Sequence, residues 1–338
     1  MAADVRRVAR NMGGAISIDA GHDFNALFMR SLHRQQPIFG IKWLPMPGPP
    51  PSRRRKSWPR FARSTRPAHC VNSVGLEMAD ELLLLSADNE GVTTLTLNRP
   101  EALNALSLDM LRALRSSLAA LEADTAVKVV VLAGAGPAFC AGHDLKELRS
   151  QDYGRAYAAE LFLECAEVMK AIVRLPKPVI ARVHGVATAA GCQLVATCDL
   201  AVAADNARFA TPGVNIGLFC STPMVALSRN VGNKHAMWML LTGDLIDAPT
   251  AMRIGLVNDV VPLSELNAHT EALARQIASK SPLTLAIGKE AFYRQAPLTL
   301  AEAYDYTCQV MVRNLESEDA QEGIGAFIDK RAPMWSGR

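Results

Sequence analysis

Between residues 91 and 205 the chain switches repeatedly between two hydrophobic periods, and this alternation constrains the fold more than any other feature. "GVTTLTLN" (91–98) alternates apolar and polar residues, the pattern of a half-buried strand. "SLDMLRALRSSLAALEAD" (107–124) places leucines at 108, 111, 114, 118 and 121, one apolar helix face, with Ser107 as its N-cap. "VKVVVLAG" (127–134) reads as a buried strand and "YAAELFLECAEVMKAIVRL" (157–175) as a helix. "PVIARVHG" (178–185) is a strand, "AAGCQLVAT" (189–197) a short helix and "DLAVAAD" (199–205) a further strand. Strands separated by helices must be joined by crossovers, so the pattern predicts βαβ units around a largely parallel sheet. From Pro223 onward the period is helical almost throughout, with Asp247 beginning one helix and Gly255 ending it.

Charge divides the 338 residues unevenly. Residues 1–77 carry 13 Lys/Arg against 4 Asp/Glu, while the remainder carries 23 against 29, so the body is mildly acidic and nucleic-acid binding is not expected of it. The tail also holds "PMPGPPP" (45–51) followed by "SRRRKSWPRFARSTR" (52–66), and no steady period runs through it. Its composition predicts disorder. An Arg-rich, acid-poor presequence is a second reading, and translation from Met78 a third. The presequence reading places the protein in the mitochondrial matrix if the source is eukaryotic and the presequence genuine; a bacterial start at Met78 places it in the cytoplasm. Seven cysteines, none in a C-x-x-C pair, predict a reducing, intracellular setting without disulfides or a zinc site. No window reaches 18 apolar residues, so no membrane insertion is expected.

Two strand-to-helix turns carry the chemistry. "GAGPAFCAGHDLKEL" (134–148) begins G-x-G but has Phe139 at the sixth position, which breaks the dinucleotide fingerprint. It still offers Ala141-Gly142 and the backbone N–H groups near His143 and Asp144. "HGVATAAGCQL" (184–194) repeats the design. Two such turns can aim two N–H groups at one carbonyl oxygen, as an oxyanion hole does, or can be no more than tight turns. Cys192 and Cys220 read as buried small hydrophobes rather than nucleophiles, His184 as a satisfied core residue, and Asp144 as a cap or brace. Glu147 and Glu164 lie on predicted helices within possible reach of a pocket.

"PEALNALS" (100–107), "AFCAGHDLKEL" (138–148), "KPVIARVHGVATAAGCQLVATCDLAVA" (177–203) and "LTGDLIDAPTAMRIGLVNDVV" (241–261) together resemble the crotonase, or enoyl-CoA hydratase/isomerase, superfamily, over about residues 85–335. The resemblance implies an α/β fold, a spiral of ββα units with a C-terminal helical trimerisation region. The chain then divides into a tail (1–77), an acyl-CoA-binding core (78–270) and a helical region (271–338), assembled as a homotrimer or hexamer. It implies no cofactor or metal, coenzyme A entering only as the thioester ligand, and a place in fatty-acid metabolism. His143 and Ala190 become the backbone oxyanion donors. Ala102, Leu103, His143, Asp144, Leu145, Lys146 and Ala190 become substrate contacts, and Phe327 and Lys330 in "AFIDKR" (326–331) contacts to a neighbouring subunit's coenzyme A.

Where relatives carry an acid/base pair of glutamates, this sequence has Gln193 and, in "ATPGVNIG" (210–217), Gly213. A glutamine amide can orient water but cannot shuttle a proton at neutral pH. Weak or altered hydratase activity is therefore expected, with His143 the candidate substitute base. Whether the chain is an enzyme stays open, the alternative being a non-catalytic acyl-CoA binder or regulatory subunit. RNA binding is a further alternative, against which the first helix offers only Arg112 and Arg115.

Overall fold

The computed structural model describes residues 82–338. The expectations for residues 1–77 and for a start at Met78 lie outside them. The chain enters with β1 (Leu83–Ala87), which pairs antiparallel with β2 (Val92–Leu97). Then follow α1 (Leu108–Ala123), β3 (Val129–Gly134), the short α2 (Leu145–Ser150), α3 (Arg155–Arg174), β4 (Val179–Val183), β5 (Val186–Thr188), α4 (Ala190–Thr197) and β6 (Leu200–Ala204). The Ser107 hydroxyl does cap α1, accepting the Met110 N–H at 3.1 Å. The five leucines predicted for one face of that helix are all buried.

Beyond β6 lie β7 (Arg208–Ala210), α5 (Pro223–Asn230), α6 (Asn233–Thr242), β8 (Ile246–Asp247), α7 (Ala248–Arg253) and β9 (Asp259–Val261). Asp247 caps α7 as predicted, and Gly255 follows its end at φ +85°. Four helices close the chain: α8 (Leu266–Ala278), α9 (Pro282–Gln295), α10 (Leu300–Leu315) and α11 (Glu318–Ile328). The expected start of the helical region, residue 271, falls inside α8.

Six strands form the main sheet in the order β1-β2-β3-β4-β6-β9, parallel from β2 onward. A second sheet of three short strands, β5-β7-β8, stands beside it. This is the expected repeat of strand pairs and helices, with a mostly parallel sheet. Two corrections apply to the last third: β8 and β9 interrupt the helices there, because two- and three-residue strands leave no period to read. A core cluster of buried residues joins one face of the sheet to α1, α3 and α4, while α8 covers the other.

The last four helices are tied to the sheet by a buried polar lock. Lys289 on α9 donates to the Ile172 and Lys177 carbonyls at 2.9 and 3.0 Å and to Asp199 Oδ2 at 2.6 Å. Tyr293, one helical turn on, donates to Asp199 Oδ1 at 2.9 Å. Asp199 also accepts the Val179 N–H at 2.7 Å, so its carboxylate joins β4, the approach to β6 and α9.

Candidate active site

The two small-residue turns meet. Gly142 is at φ +97°, and a Cβ there would lie 2.9 Å from Ala189 Cβ and 3.3 Å from the Ala190 nitrogen, so only glycine admits this approach. The contact is fixed from both sides. Cys140 pairs with Ala187 as an isolated bridge, and the Thr188 hydroxyl donates to the Ala141 carbonyl at 3.0 Å. Ala189, the N-cap of α4, has φ 49° and ψ −117°, a strained backbone for a residue with a Cβ, held by its N–H bond to the Ala210 carbonyl at 2.9 Å.

This geometry frees two donors. The Leu106 N–H donates to the Gly142 carbonyl and the Asp144 N–H to the Leu106 carbonyl, a parallel bridge that leaves the His143 N–H on the opposite side. Ala190 opens α4, where an N–H has no intrahelical acceptor. Among the described residues neither N–H donates to another group.

Beside them opens a cavity of about 430 Å³. Ala141, His143 and Ala190 form one part of its wall; Leu145, Leu148 and Phe162 form an apolar part; the segment from Pro212 to Pro223 forms the rest. No Asp or Glu side chain among the described residues lines it. Cys220 does, with burial raising its thiol pKa, and Cys192 is buried with its thiol pushed up to about 12. Both stay protonated at neutral pH, in keeping with the reading of buried hydrophobes.

The two positions that lack glutamate differ in kind. Gln193 lies one turn into α4, 4% exposed, and its Oε1 is buried without a hydrogen-bond partner. Gly213 is the second residue of a 3-10 turn (Pro212–Ile216) that folds back on itself, the Leu218 N–H donating to the Gly213 carbonyl at 2.9 Å. A Cβ on Gly213 would lie 1.9 Å from the Leu218 carbonyl oxygen and 2.9 Å from Cys220 Sγ. No side chain fits there while the turn keeps this shape.

The His143 ring lies edge-on to Phe162, centroids 5.2 Å apart at 80°. Both ring nitrogens are buried, and neither makes a hydrogen bond of normal geometry. Burial pushes the imidazole down to about 4, opposed only by the nearby Leu106 carbonyl. At neutral pH the ring is uncharged and weakly basic, which suits hydrogen bonding better than the proton abstraction expected of a substitute base.

Other predicted contacts lie off the cavity wall. Asp144 turns away to cap α2, accepting the Lys146 and Glu147 N–H groups at 3.0 and 3.2 Å and pairing with Arg99 at 3.1 Å. Burial opposes its ionisation, but these donors outweigh it and hold its carboxyl below the usual range. Lys146 is exposed. Ala102 and Leu103 sit in a 3-10 turn behind Ala141, whose N–H donates to the Leu103 carbonyl. Phe327 and Lys330 lie at the end of α11, where Phe327 is 85% exposed and flanks a groove with Met311, Leu315 and Ile324. Glu147 accepts the Leu108 N–H, and Glu164 pairs with Arg115; neither lines the cavity. His184 is half-buried rather than in the core, its Nε2 bonded to the Gly136 carbonyl. Among the described residues no group of three His, Cys, Asp or Glu is placed to hold a metal.

A spiral of strand pairs and helices with two convergent turns over an apolar cavity defines the crotonase class of proteins. The enoyl-CoA hydratase/isomerase family profile matches residues 87–338, and the chain belongs to that family. Within it, the mouse protein enoyl-CoA hydratase domain-containing protein 3, mitochondrial, is 46% identical over 298 residues, covering 88% of this chain and 97% of the mouse protein. Its human counterpart is 51% identical over 247 residues, 73% of this chain and 81% of the human one. The crystal structure of the human protein superposes with a TM-score of 0.73 at 49% identity, over 75% of this chain and 100% of that one. An enoyl-CoA hydratase from Mycobacterium smegmatis gives 0.74 at 54% identity, over 75% and 99%.

Proposed function

We propose that the cavity binds an acyl- or enoyl-CoA thioester, its carbonyl oxygen on the His143 and Ala190 N–H groups, and that hydration of the enoyl double bond is weak or altered. The observation that carries this is the pair of unpartnered N–H donors beside a cavity lined by no carboxylate among the described residues. Each donor aimed at a developing oxyanion is worth about 2.7–4 kcal/mol. An enolate is thereby stabilised without a group to deliver or remove a proton. General acid–base groups contribute roughly 10²–10⁴-fold each, so hydration falls far below that of a glutamate-bearing relative.

The same observations support a second reading, a non-catalytic binder or regulatory subunit. It is favoured by the Gly213 turn, which fills with backbone the space a second glutamate would need. RNA binding gains no support, since Arg112 and Arg115 are already paired with Glu160 and Glu164. A role in fatty-acid metabolism follows from the thioester ligand. Assembly as a trimer or hexamer is supported by the exposed apolar residues of α10 and α11, Leu300 and Phe327 among them. That assembly would let Phe327 and Lys330 reach a neighbour's coenzyme A. The mitochondrial relatives support the matrix as the location, and no helix among the described residues is long and apolar enough to cross a membrane.

The test is incubation of the full chain with a panel of acyl- and enoyl-CoAs in D₂O, with mass spectrometry of thioesters and retained ligand. Bound, largely unhydrated thioester is expected. Turnover of crotonyl-CoA at the 1–10³ s⁻¹ of ordinary enzymes would refute the reading. Absence of any bound thioester would refute it in the other direction.

A further inference from the structure

We infer that Arg99 is a positioning residue for the oxyanion contact: its guanidinium staples together the two segments whose single bridge aims the His143 N–H. The inference rests on the thioester reading above and adds a residue that does not line the cavity.

The aim of that N–H depends on a slight device. Leu106 and His143 form an isolated parallel bridge. It has two hydrogen bonds, from the Leu106 N–H to the Gly142 carbonyl at 2.7 Å and from the Asp144 N–H to the Leu106 carbonyl at 3.1 Å. Neither segment belongs to a strand, so no ladder fixes the register. Successive N–H groups of extended backbone face opposite sides, and a slip of one residue would turn the His143 N–H away from the cavity.

Arg99 reaches both sides of the bridge. Its Nη1 donates to the Ala105 carbonyl at 2.9 Å, one residue before Leu106. Its Nη2 donates to Asp144 Oδ2 at 3.1 Å, one residue after His143. The other oxygen of that carboxylate accepts the Lys146 and Glu147 N–H groups, so the staple also fixes α2, which brings Leu145 and Leu148 to the cavity wall. The two side chains are 21% and 13% exposed, so salt screens the pair little. Glu101 is 3.9 Å away and exposed, and adds little. A planar guanidinium donates in two directions at once, whereas an ammonium on a flexible stem acts as a point charge.

Arg99 is itself anchored. Its backbone N–H donates to Asn104 Oδ1 at 2.9 Å, and Asn104 Nδ2 donates to the Ala135 and Ala138 carbonyls, each at 2.8 Å. Asn104 is fully buried. It and Leu103 lie at φ 55° and 51°, conformations that residues with a Cβ keep only where their surroundings over-determine them. The Ala141 N–H completes the set by donating to the Leu103 carbonyl at 3.0 Å. The turn at 99–106 is a rigid base from which Arg99 holds the donor.

The experiment compares wild type, Arg99→Met and Arg99→Lys, with Lys289→Met as a control for lost stability alone, all in the full chain. One readout is hydrogen–deuterium exchange of the unliganded protein over residues 103–110 and 140–148. The other is difference infrared spectroscopy of bound butyryl-CoA with an isotope-labelled thioester carbonyl. Arg99→Met should exchange about tenfold faster in both segments, because two hydrogen bonds from a charged group are gone. It should bind butyryl-CoA roughly two- to tenfold more weakly, with the carbonyl stretch moved back toward that of the free thioester. Arg99→Lys should recover only part of each effect. Lys289→Met should lower Tm and keep the wild-type carbonyl frequency. Unchanged exchange or an unchanged carbonyl frequency in Arg99→Met would overturn the inference. So would an equal carbonyl shift in Lys289→Met, which would make the effect a general one. Those results leave the thioester reading standing. Failure of wild type to bind butyryl-CoA, or a bound carbonyl at the free frequency, removes that reading and this role with it.

Discussion

Replacing Gly213 with alanine tests whether the wall opposite the oxyanion donors is rebuilt or merely stripped of a side chain. The added methyl would lie 1.9 Å from the Leu218 carbonyl oxygen and 2.9 Å from Cys220 Sγ. The first neighbour is backbone, held by the Leu218 N–H bond back to Gly213 at 2.9 Å, so it cannot swing aside as a long side chain could. Clearing the clash requires more than an ångström of movement in the turn, and forced overpacking of this kind costs about 1–3 kcal/mol. For a domain of this size each kcal/mol shifts Tm by about 2–4 °C, giving a fall of roughly 2–12 °C. Gly288, inside α9 with nothing within 4 Å of its virtual Cβ, is the control. There alanine should stabilise by about 0.5–1 kcal/mol through helix propensity. Thermal unfolding of the two variants against wild type decides the matter. An unchanged Tm for Gly213→Ala would mean that the turn yields freely and that the clash argument is wrong. The functional corollary is that Gln193→Glu combined with Gly213→Glu does not create an efficient hydratase. Efficient crotonyl-CoA hydration by that double variant would refute the same reasoning independently.

Two further predictions rest on buried charge. The His143 imidazole, depressed to about 4 by burial, stays neutral in the native state while the unfolded chain takes up a proton near 6.5. Its contribution is therefore complete above pH 6.5 and is lost as pH falls toward 4, by about 3 kcal/mol across the window. Denaturant unfolding at pH 7 and pH 4.5 should show His143→Phe losing clearly less stability than wild type; parallel losses would refute the assignment. Lys289→Met strands Asp199, which then keeps the Tyr293 and Val179 donors but loses its cation. Breaking a buried pair from one side costs about 3–5 kcal/mol. A Tm within 2 °C of wild type would show that water replaces the ammonium at no cost.

Long regular elements were legible in the sequence because one face of each is buried. The leucines of α1 and the apolar run of β3 point at the core and carry the period with them. What escaped is short or exposed. β1 is "LLLSA", apolar in composition yet mostly exposed at the sheet edge, so its residues do not alternate. β5 and β7 have three residues each, too few for any period. The two turns of the site were legible because close backbone approach demands small residues, and Gly142 against Ala189 is the physical form of that demand. Most of the wall was not. Phe162 comes from the middle of α3, off the face formed by Leu161, Cys165, Val168, Met169 and Ile172, and a large aromatic off the apolar face was the one signal available. The segment 212–223 reaches the cavity only because its turn doubles back, which no spacing in "TPGVNIGLFCSTP" announces.

The absence of a glutamate pair means different things at its two positions. At residue 193 glutamine keeps the length and shape of glutamate, its Oε1 buried and without a hydrogen-bond partner. At residue 213 the space itself is gone, taken by the Leu218 carbonyl and the Cys220 sulfur. Restoring charge at 193 alone would bury a carboxylate with no second acid to share a water with, which costs stability and supplies half of a two-group device. The polar equipment left at the cavity is then two backbone donors, one neutral ring and the uncharged side chains of Asn215, Ser221 and Thr222. Such a set can hold an oxyanion, but it cannot relay a proton near pH 7. Any reaction completed there must take its proton from the substrate itself or from solvent reaching the open side of the cavity.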